Sequence, residues 1–174
     1  MLILRNEYHF MHLIELTSEK ADTYKAFFTQ AVTLQPDFFR ISPADEAESP
    51  FPTLGTPDSF TLAMTTPIGH LMGVVSFQRE GANRTKLRHK GLLFRMYVAA
   101  EYAGRGIGRR LVNEVIQRAR LLPGMEQLLL TVAHQNEIAK KLYESVGFQS
   151  FSLELRAMKY NGAYVDEEQM VLFL

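Results

Sequence analysis

The feature that most constrains the fold of this chain is a buried strand that enters a helix through a glycine-rich turn. Residues 91–98 (Gly-Leu-Leu-Phe-Arg-Met-Tyr-Val) are mostly apolar on both faces, which is typical of a central strand covered on two sides. The turn at residues 103–108 (Ala-Gly-Arg-Gly-Ile-Gly) follows, and residues 106–121 then show the apolar stripe of a helix. The chain is therefore expected to form an α/β structure whose central strand leads into a tight turn.

The rest of the sequence extends this pattern in both directions. Strand signals cover residues 11–16, 60–64, 70–79, 91–98, 126–132, 148–159 and 170–174. Together with the helices between them, they predict an α/β (α+β) class with a single mixed, mostly antiparallel sheet of about six to seven strands flanked by helices. We expect one domain over residues 1–174, with residues 1–10 as an N-terminal extension.

Helix signals lie between these strands. Ser18 is expected to cap a first helix, and a short helix is expected after Pro43. Asn136 is expected to start a last helix that turns Ile138 and Tyr143 toward the core.

Composition excludes several classes of function. The 174 residues include no cysteine, which excludes disulfides, thiolate metal sites and a cysteine acyl-enzyme. Lys plus Arg equals Asp plus Glu at 19 each, so no overall charge draws the chain to nucleic acid or an anionic membrane. No apolar run has the length of a signal peptide or a membrane span, and the histidines lack metal-ligand spacing. We expect a cytoplasmic protein with no metal site and no nucleic-acid or membrane partner.

The glycine-rich turn is chemically suited to an anion. A helix N-terminus presents free N–H groups and the positive end of the helix dipole, and glycines let a phosphate oxygen approach the backbone. Arg105, Arg109 and Arg110 add positive charge. The dinucleotide fingerprint is excluded because its third glycine would fall at Arg109, and the P-loop is excluded because Gly108 is followed by Arg-Arg. Another phosphate or pyrophosphate ligand is indicated.

A second motif follows at residues 136–148 (Asn-Glu-Ile-Ala-Lys-Lys-Leu-Tyr-Glu-Ser-Val-Gly-Phe). Asn136, Ala139 and Tyr143 recur there at spacings of three and four; Asn136 can cap the helix, and the other two share one face. The turn and this motif together resemble the GNAT N-acetyltransferase family, closely over about residues 92–148. The resemblance implies the acyl-CoA N-acyltransferase fold, acetyl-CoA (coenzyme A) as acyl donor and an amine as acceptor.

The resemblance also implies a cofactor site around the turn. Backbone pairing with the pantetheine arm is implied for Met96, Tyr97 and Val98. Contact with the pyrophosphate is implied for the turn and the first helical residues, which are Gly104, Arg105, Gly106, Ile107, Gly108 and Arg109. Asn136 would contact the cofactor arm, and the Tyr143 hydroxyl would lie near the thioester sulfur.

Two groups fit the chemistry that the resemblance implies. Aminolysis of a thioester develops an oxyanion and expels a thiolate, so it needs an N–H donor at the oxygen and a proton donor at the sulfur. The Val98 N–H is a candidate for the first and the Tyr143 hydroxyl for the second. The family usually has Gln or Arg at the place of Ala103, so one cofactor contact is missing here, and Arg105 is a candidate to replace it.

The base that deprotonates the amine is left open by the sequence. Glu101, just before the turn, and His134, just after the strand at 126–132, are the candidates, since both side chains can accept a proton. A water relay is an equal alternative. The absence of cysteine favours direct attack by the amine in a ternary complex over a cysteine-linked acyl-enzyme.

Residues 35–60 border the acceptor pocket in the family that the chain resembles. The segment contains five prolines, the phenylalanines Phe38, Phe39 and Phe51, and five acidic side chains, namely Asp37, Asp45, Glu46, Glu48 and Asp58. An acidic, aromatic segment favours an amine-bearing small molecule as acceptor. A protein or peptide acceptor and a non-catalytic acyl-CoA-binding sensor are the alternatives, and a homodimer is compatible with the sequence.

Overall fold

A computed structural model describes residues 11–174; the extension expected at residues 1–10 lies outside the described residues. Seven strands form one sheet in the order β1-β2-β3-β4-β5-β7-β6. The strands are β1 (His12–Leu16), β2 (Ser59–Thr65), β3 (Leu71–Arg79), β4 (Lys90–Val98), β5 (Gln127–Ala133), β6 (Gln149–Tyr160) and β7 (Ala163–Phe173). Neighbouring strands are antiparallel except β4 and β5, which are parallel. The predicted mixed, mostly antiparallel sheet is confirmed.

Helices lie on both faces of this sheet. They are α1 (Ala21–Leu34), α2 (Pro43–Glu48), α3 (Ile107–Arg120) and α4 (Glu137–Ser145). Side chains of α3 and Tyr143 of α4 pack in one core cluster, and side chains of α1 pack in another. Leu62 and Ala63 of β2 belong to different clusters, because successive side chains of a strand point to opposite faces. Within residues 11–174, no helix is long and apolar enough to cross a membrane.

The α3 stripe predicted from the sequence is buried as expected. Its buried members are Ile107, Leu111, Val112, Val115, Ile116 and Ala119. Two expectations about the other helices are wrong. Ser18 does not cap α1, because a 3-10 turn (Ser18–Lys20) precedes the helix and no side chain caps either element. Ile138 is 86% exposed, because it lies on the turn of α4 that borders an open groove and has no sheet to pack against.

The C-terminal strands form a longer hairpin than the sequence indicates. β7 begins at Ala163, seven residues before the predicted start at residue 170. Asn161 and Gly162 form the two-residue turn with φ angles of 48° and 81°, the left-handed pair that tight hairpins require. The polar residues of β7 hid this strand, because Glu167 pairs with Arg40 and Glu168 with His134 and Lys140 rather than packing in an apolar core.

Candidate active site

A groove opens where β4 and β5 separate. The two strands pair over three residues each, Lys90–Leu92 with Gln127–Leu129. Arg95 has a left-handed backbone with φ 51°, and the β3–β4 register shifts beside it, so β4 carries a bulge just after it leaves β5. The resulting cavity has a volume of about 500 Å³ and extends from Thr131 in β5 to the first turn of α3.

Almost all of the predicted cofactor-binding residues line this one cavity. They are Met96, Tyr97, Val98, Gly104, Gly106, Ile107, Gly108, Arg109, Asn136 and Tyr143. Arg105 is the exception, and its guanidinium lies 5.3 Å from the ring centre of Tyr102, a residue that does line the cavity. Ala103, the residue that departs from the family pattern, also borders the groove. Residues from one strand, one turn and two helices are therefore brought together.

The glycine-rich turn forms the open end of the groove. Gly104 and Gly106 have φ angles of 74° and 75°, and a Cβ atom added to either would meet nothing within 4 Å. Gly106 is the N-cap of α3, and its carbonyl accepts the N–H of Arg110 at 3.0 Å, so the N–H groups of the preceding helical residues have no acceptor within the helix. The first turn of α3 contains no acidic residue. This arrangement fits a phosphate group.

The start of α4 forms the opposite wall. The Asn136 side-chain oxygen accepts the N–H of Ala139 at 3.2 Å, which confirms the predicted N-cap and leaves the amide nitrogen of Asn136 as a donor. Arg109 in α3 donates to the Ser145 hydroxyl at 3.0 Å and so ties the two helices together. The groove is thus bounded by two helix N-termini held in a fixed relation.

Tyr143 lies in the wall of the groove and is only 6% exposed. Its ring meets Phe148 edge-on with centres 5.9 Å apart. Burial raises the pKa of the Tyr143 hydroxyl well above its ordinary value of 10, so the group stays protonated and can donate a proton or a hydrogen bond.

The Val98 N–H points toward the groove side of β4. The next residue, Ala99, donates its N–H to the Met72 carbonyl of the adjoining chain segment at 3.0 Å. Because N–H groups alternate in direction along a strand, the Val98 N–H faces away from β3 and toward the space that β5 has left. It is a backbone donor next to the cavity.

The two candidate bases do not line the groove. Glu101 is an exposed residue of a 3-10 turn (Ala100–Tyr102). The His134 Nδ1 atom lies 2.6 Å from a carboxylate oxygen of Glu168, and the Lys140 ammonium lies 3.1 Å from the same oxygen. Burial disfavours the charged form of Glu168, but hydrogen bonds from Lys140, His134 and Ser150, together with the charge of Lys140, lower its pKa. His134 therefore belongs to a polar cluster at the end of β5.

Sequence reasoning missed Arg95, whose charged side chain enters the core from the bulge in β4. Its guanidinium lies 2.8 Å from the Glu46 carboxylate of α2, 3.4 Å from the Tyr24 hydroxyl and 5.0 Å from the centre of the Phe28 ring. Glu46 is 1% exposed, and burial raises its pKa although Arg95 acts in the opposite direction. The signal was present, since an arginine in an otherwise apolar strand needs a buried partner.

A second cavity of about 410 Å³ lies between the α1–α2 connection and the β6–β7 hairpin. Phe39 lines both this cavity and the groove. Arg40, Asp37 and Glu154 supply charged groups to its wall. The two spaces thus adjoin at Phe39, on the side of the sheet that carries α1.

Three of the five acidic residues in the 35–60 segment pair with other residues of the chain. Asp45 closes the capping box of α2 with Ser42, Glu46 pairs with Arg95, and Asp58 pairs with Arg79. Asp37 and Asp45 line the second cavity together with Glu154 of the C-terminal hairpin, a carboxylate that the sequence did not indicate.

Comparisons with known proteins agree with this geometry. A family model described as the acetyltransferase (GNAT) family matches residues 22–148. The chain is similar to a GNAT-family acetyltransferase structure from Streptococcus pneumoniae, with a TM-score of 0.80, 23% identity, and 94% of this chain and 99% of that chain covered. It is also similar to a GNAT superfamily phosphinothricin acetyltransferase from Sinorhizobium meliloti in complex with acetyl-CoA, with a TM-score of 0.79, 20% identity, and 94% and 88% covered.

Two curated relatives match shorter segments. Spermidine N(1)-acetyltransferase of Vibrio cholerae is 29% identical over 84 residues, which is 48% of this chain and 49% of that protein. The N-alpha-acetyltransferase RimI of Mycobacterium tuberculosis is 45% identical over 62 residues, which is 36% of this chain and 37% of that protein. The chain thus spans half or less of the length of these relatives.

Proposed function

Since the chain belongs to the GNAT acetyltransferase family, we propose that it transfers an acetyl group from acetyl-CoA to the amine of a small molecule, by direct attack within a ternary complex. The observation that carries this proposal is the single groove in which the strand β4, the glycine-rich turn and the start of α4 meet. The cytoplasmic location expected from the sequence is part of the proposal.

The groove offers acetyl-CoA two kinds of contact. The open space at Gly104 and Gly106, beside the free N–H groups of α3, fits the pyrophosphate, and Arg109 adds a positive charge there. The unpaired edge of β4 at Met96 and Val98 fits the amide groups of the pantetheine arm, which can extend the sheet in place of β5.

The bound cofactor supplies an acyl group activated as a thioester. The Val98 N–H donates a hydrogen bond to the carbonyl oxygen as negative charge develops on it. The Tyr143 hydroxyl, kept protonated by burial, donates its proton toward the sulfur that leaves. Glu101 and His134 lie outside the groove, so we favour water as the route by which the amine loses its proton.

The second cavity is the proposed acceptor site. It adjoins the groove at Phe39, and its volume of about 410 Å³ suits a small molecule better than a peptide chain. The two curated relatives act on different acceptors by name, a polyamine and a protein α-amine, so the relatives alone do not select between small-molecule and protein acceptors.

Calorimetry with acetyl-CoA, followed by a thiol-release assay over small amines and short peptides, tests the proposal. Acetyl-CoA binding with thiol release for small amines supports it. Release with peptides only would favour a protein acetyltransferase, and tight binding without release for any acceptor would favour an acyl-CoA sensor. Absence of acetyl-CoA binding would overturn the proposal.

A further inference from the structure

Glu167 is a buried carboxylate that the acetyl-CoA groove does not use. It lies in β7 opposite Ala133, the last residue of β5, and its side chain is 4% exposed. A carboxylate removed from water requires a cation or several hydrogen-bond donors. The partner of Glu167 therefore determines what this part of the molecule can bind.

That partner is Arg40, which comes from the connection between α1 and α2. Its guanidinium reaches the same Glu167 oxygen through two nitrogens, at 2.7 and 2.6 Å, and lies 3.5 Å from Glu154. The Arg40 side chain is 56% exposed and lines the second cavity. The Arg40 guanidinium thus lies between the buried carboxylate and the cavity, and more than half of the Arg40 side chain is exposed to solvent.

Glu167 lies close to residues that line the groove and to residues that line the second cavity. Thr131, two residues before Ala133 and on the same face of β5, lines the groove. Val165 lines the second cavity, and Glu167 points to the same face of the sheet because it is two residues further along the strand. Phe39, the neighbour of Arg40, borders both spaces.

The charges around Glu167 favour a cation. Four carboxylates line or adjoin the second cavity, against two basic side chains; they are Asp37, Asp45, Glu154 and Glu167, and the basic residues are Arg40 and Lys159. If a carboxylate of the acceptor formed an ion pair with the Arg40 guanidinium, Glu167 would be left buried without a cation, which is strongly unfavourable. An acceptor cation that displaced Arg40 would leave Glu167 paired and Arg40 in solvent.

We propose that Glu167 binds a positively charged group of the acceptor and that Arg40 occupies this place when no acceptor is bound. The inference rests on the proposed function, in which an acceptor binds next to the groove, and it adds the chemical class of that acceptor. The amine that attacks must be neutral, whereas the buried Glu167 carboxylate needs a partner group that stays positively charged. The acceptor class is therefore an amine that carries a second positive charge, with the chemistry of an alkyl diamine.

The test measures binding of 1,4-diaminobutane and of n-butylamine to the full chain by calorimetry, in the presence of coenzyme A so that no turnover occurs. The variants are Glu167→Gln and Arg40→Gln, and Glu114→Gln is the matched control because Glu114 pairs with Arg118 on α3, away from both cavities. Both test substitutions keep side-chain size, and thermal melts check that each variant folds.

The wild type should bind the diamine more tightly than the monoamine. Glu167→Gln should weaken diamine binding by about tenfold or more, because the ammonium loses its charged partner. Arg40→Gln should strengthen it, because the competing guanidinium is gone, and Glu114→Gln should change nothing. Coenzyme A affinity should be the same in all four proteins.

Three results would overturn the inference: no diamine binding by the wild type, unchanged diamine affinity in Glu167→Gln, or unchanged or weaker affinity in Arg40→Gln. The last would mean that Arg40 is only a clamp between the connection and the hairpin. Diamine binding that responds as expected, without thiol release from acetyl-CoA for any amine, would support the inference while the proposed function fails.

Discussion

Replacing Gly106 by valine should abolish acetyl-CoA binding while the fold survives. Gly106 has φ 75°, and an L-residue in this conformation costs about 1–2 kcal/mol, with a β-branched residue near the upper end. A loss of about 2 kcal/mol corresponds to a drop in Tm of roughly 4–8 °C for a chain of this size. A domain stable by about 5–15 kcal/mol tolerates this.

The effect on binding is expected to be much larger than the strain. A side chain at Gly106 would project into space that is open within 4 Å, where the pyrophosphate is proposed to lie. Loss of two hydrogen bonds to a charged group, each worth about 1.5–3 kcal/mol, weakens binding by roughly 10²- to 10⁴-fold. Calorimetry with acetyl-CoA measures this loss directly.

Gly124→Val is the matched control. Gly124 has φ 67° and equally open surroundings, but it follows the far end of α3, about 20 Å of helix away. Tm should fall by a similar amount in both variants, and only Gly106→Val should lose affinity for acetyl-CoA. If Gly106→Val binds acetyl-CoA like the wild type, or if both variants lose affinity equally, the glycine-rich turn is not the pyrophosphate site.

Three further substitutions test other parts of the structure. Tyr143→Phe should lower kcat about 100-fold with unchanged acetyl-CoA affinity, because only the proton donor is lost; an unchanged kcat would remove Tyr143 from the chemistry. His134→Ala should lower kcat by less than about threefold, because a general base must reach the reacting proton directly or through one water; a large loss at saturating amine would restore it as the base. Glu46→Ala should destabilise the fold by about 3 kcal/mol, measured by urea unfolding, because Arg95 is left without its anionic partner; a loss below about 1 kcal/mol would show that the Arg95 guanidinium is accommodated without it.

Local patterns accounted for most of the fold. The α3 stripe and the N-cap at Asn136 follow from spacings of three and four and from a capping residue within one turn, and the short helix expected after Pro43 is present as α2. Local patterns failed where burial depended on distant partners. Ile138 fits the apolar stripe of α4, yet it is exposed because the sheet beneath it has opened.

The glycine-rich turn and the Asn136–Tyr143 spacing were determined by the sequence alone, because backbone conformation and helix faces are set by neighbours along the chain. The tertiary structure decided the rest of the site. The Arg95–Glu46 pair joins β4 to α2, and Arg40 reaches Glu167 across 127 positions of sequence. An arginine in an apolar strand indicates that a partner exists, but the identity of that partner has no local signature, because a buried charge is balanced by whichever element the fold places against it.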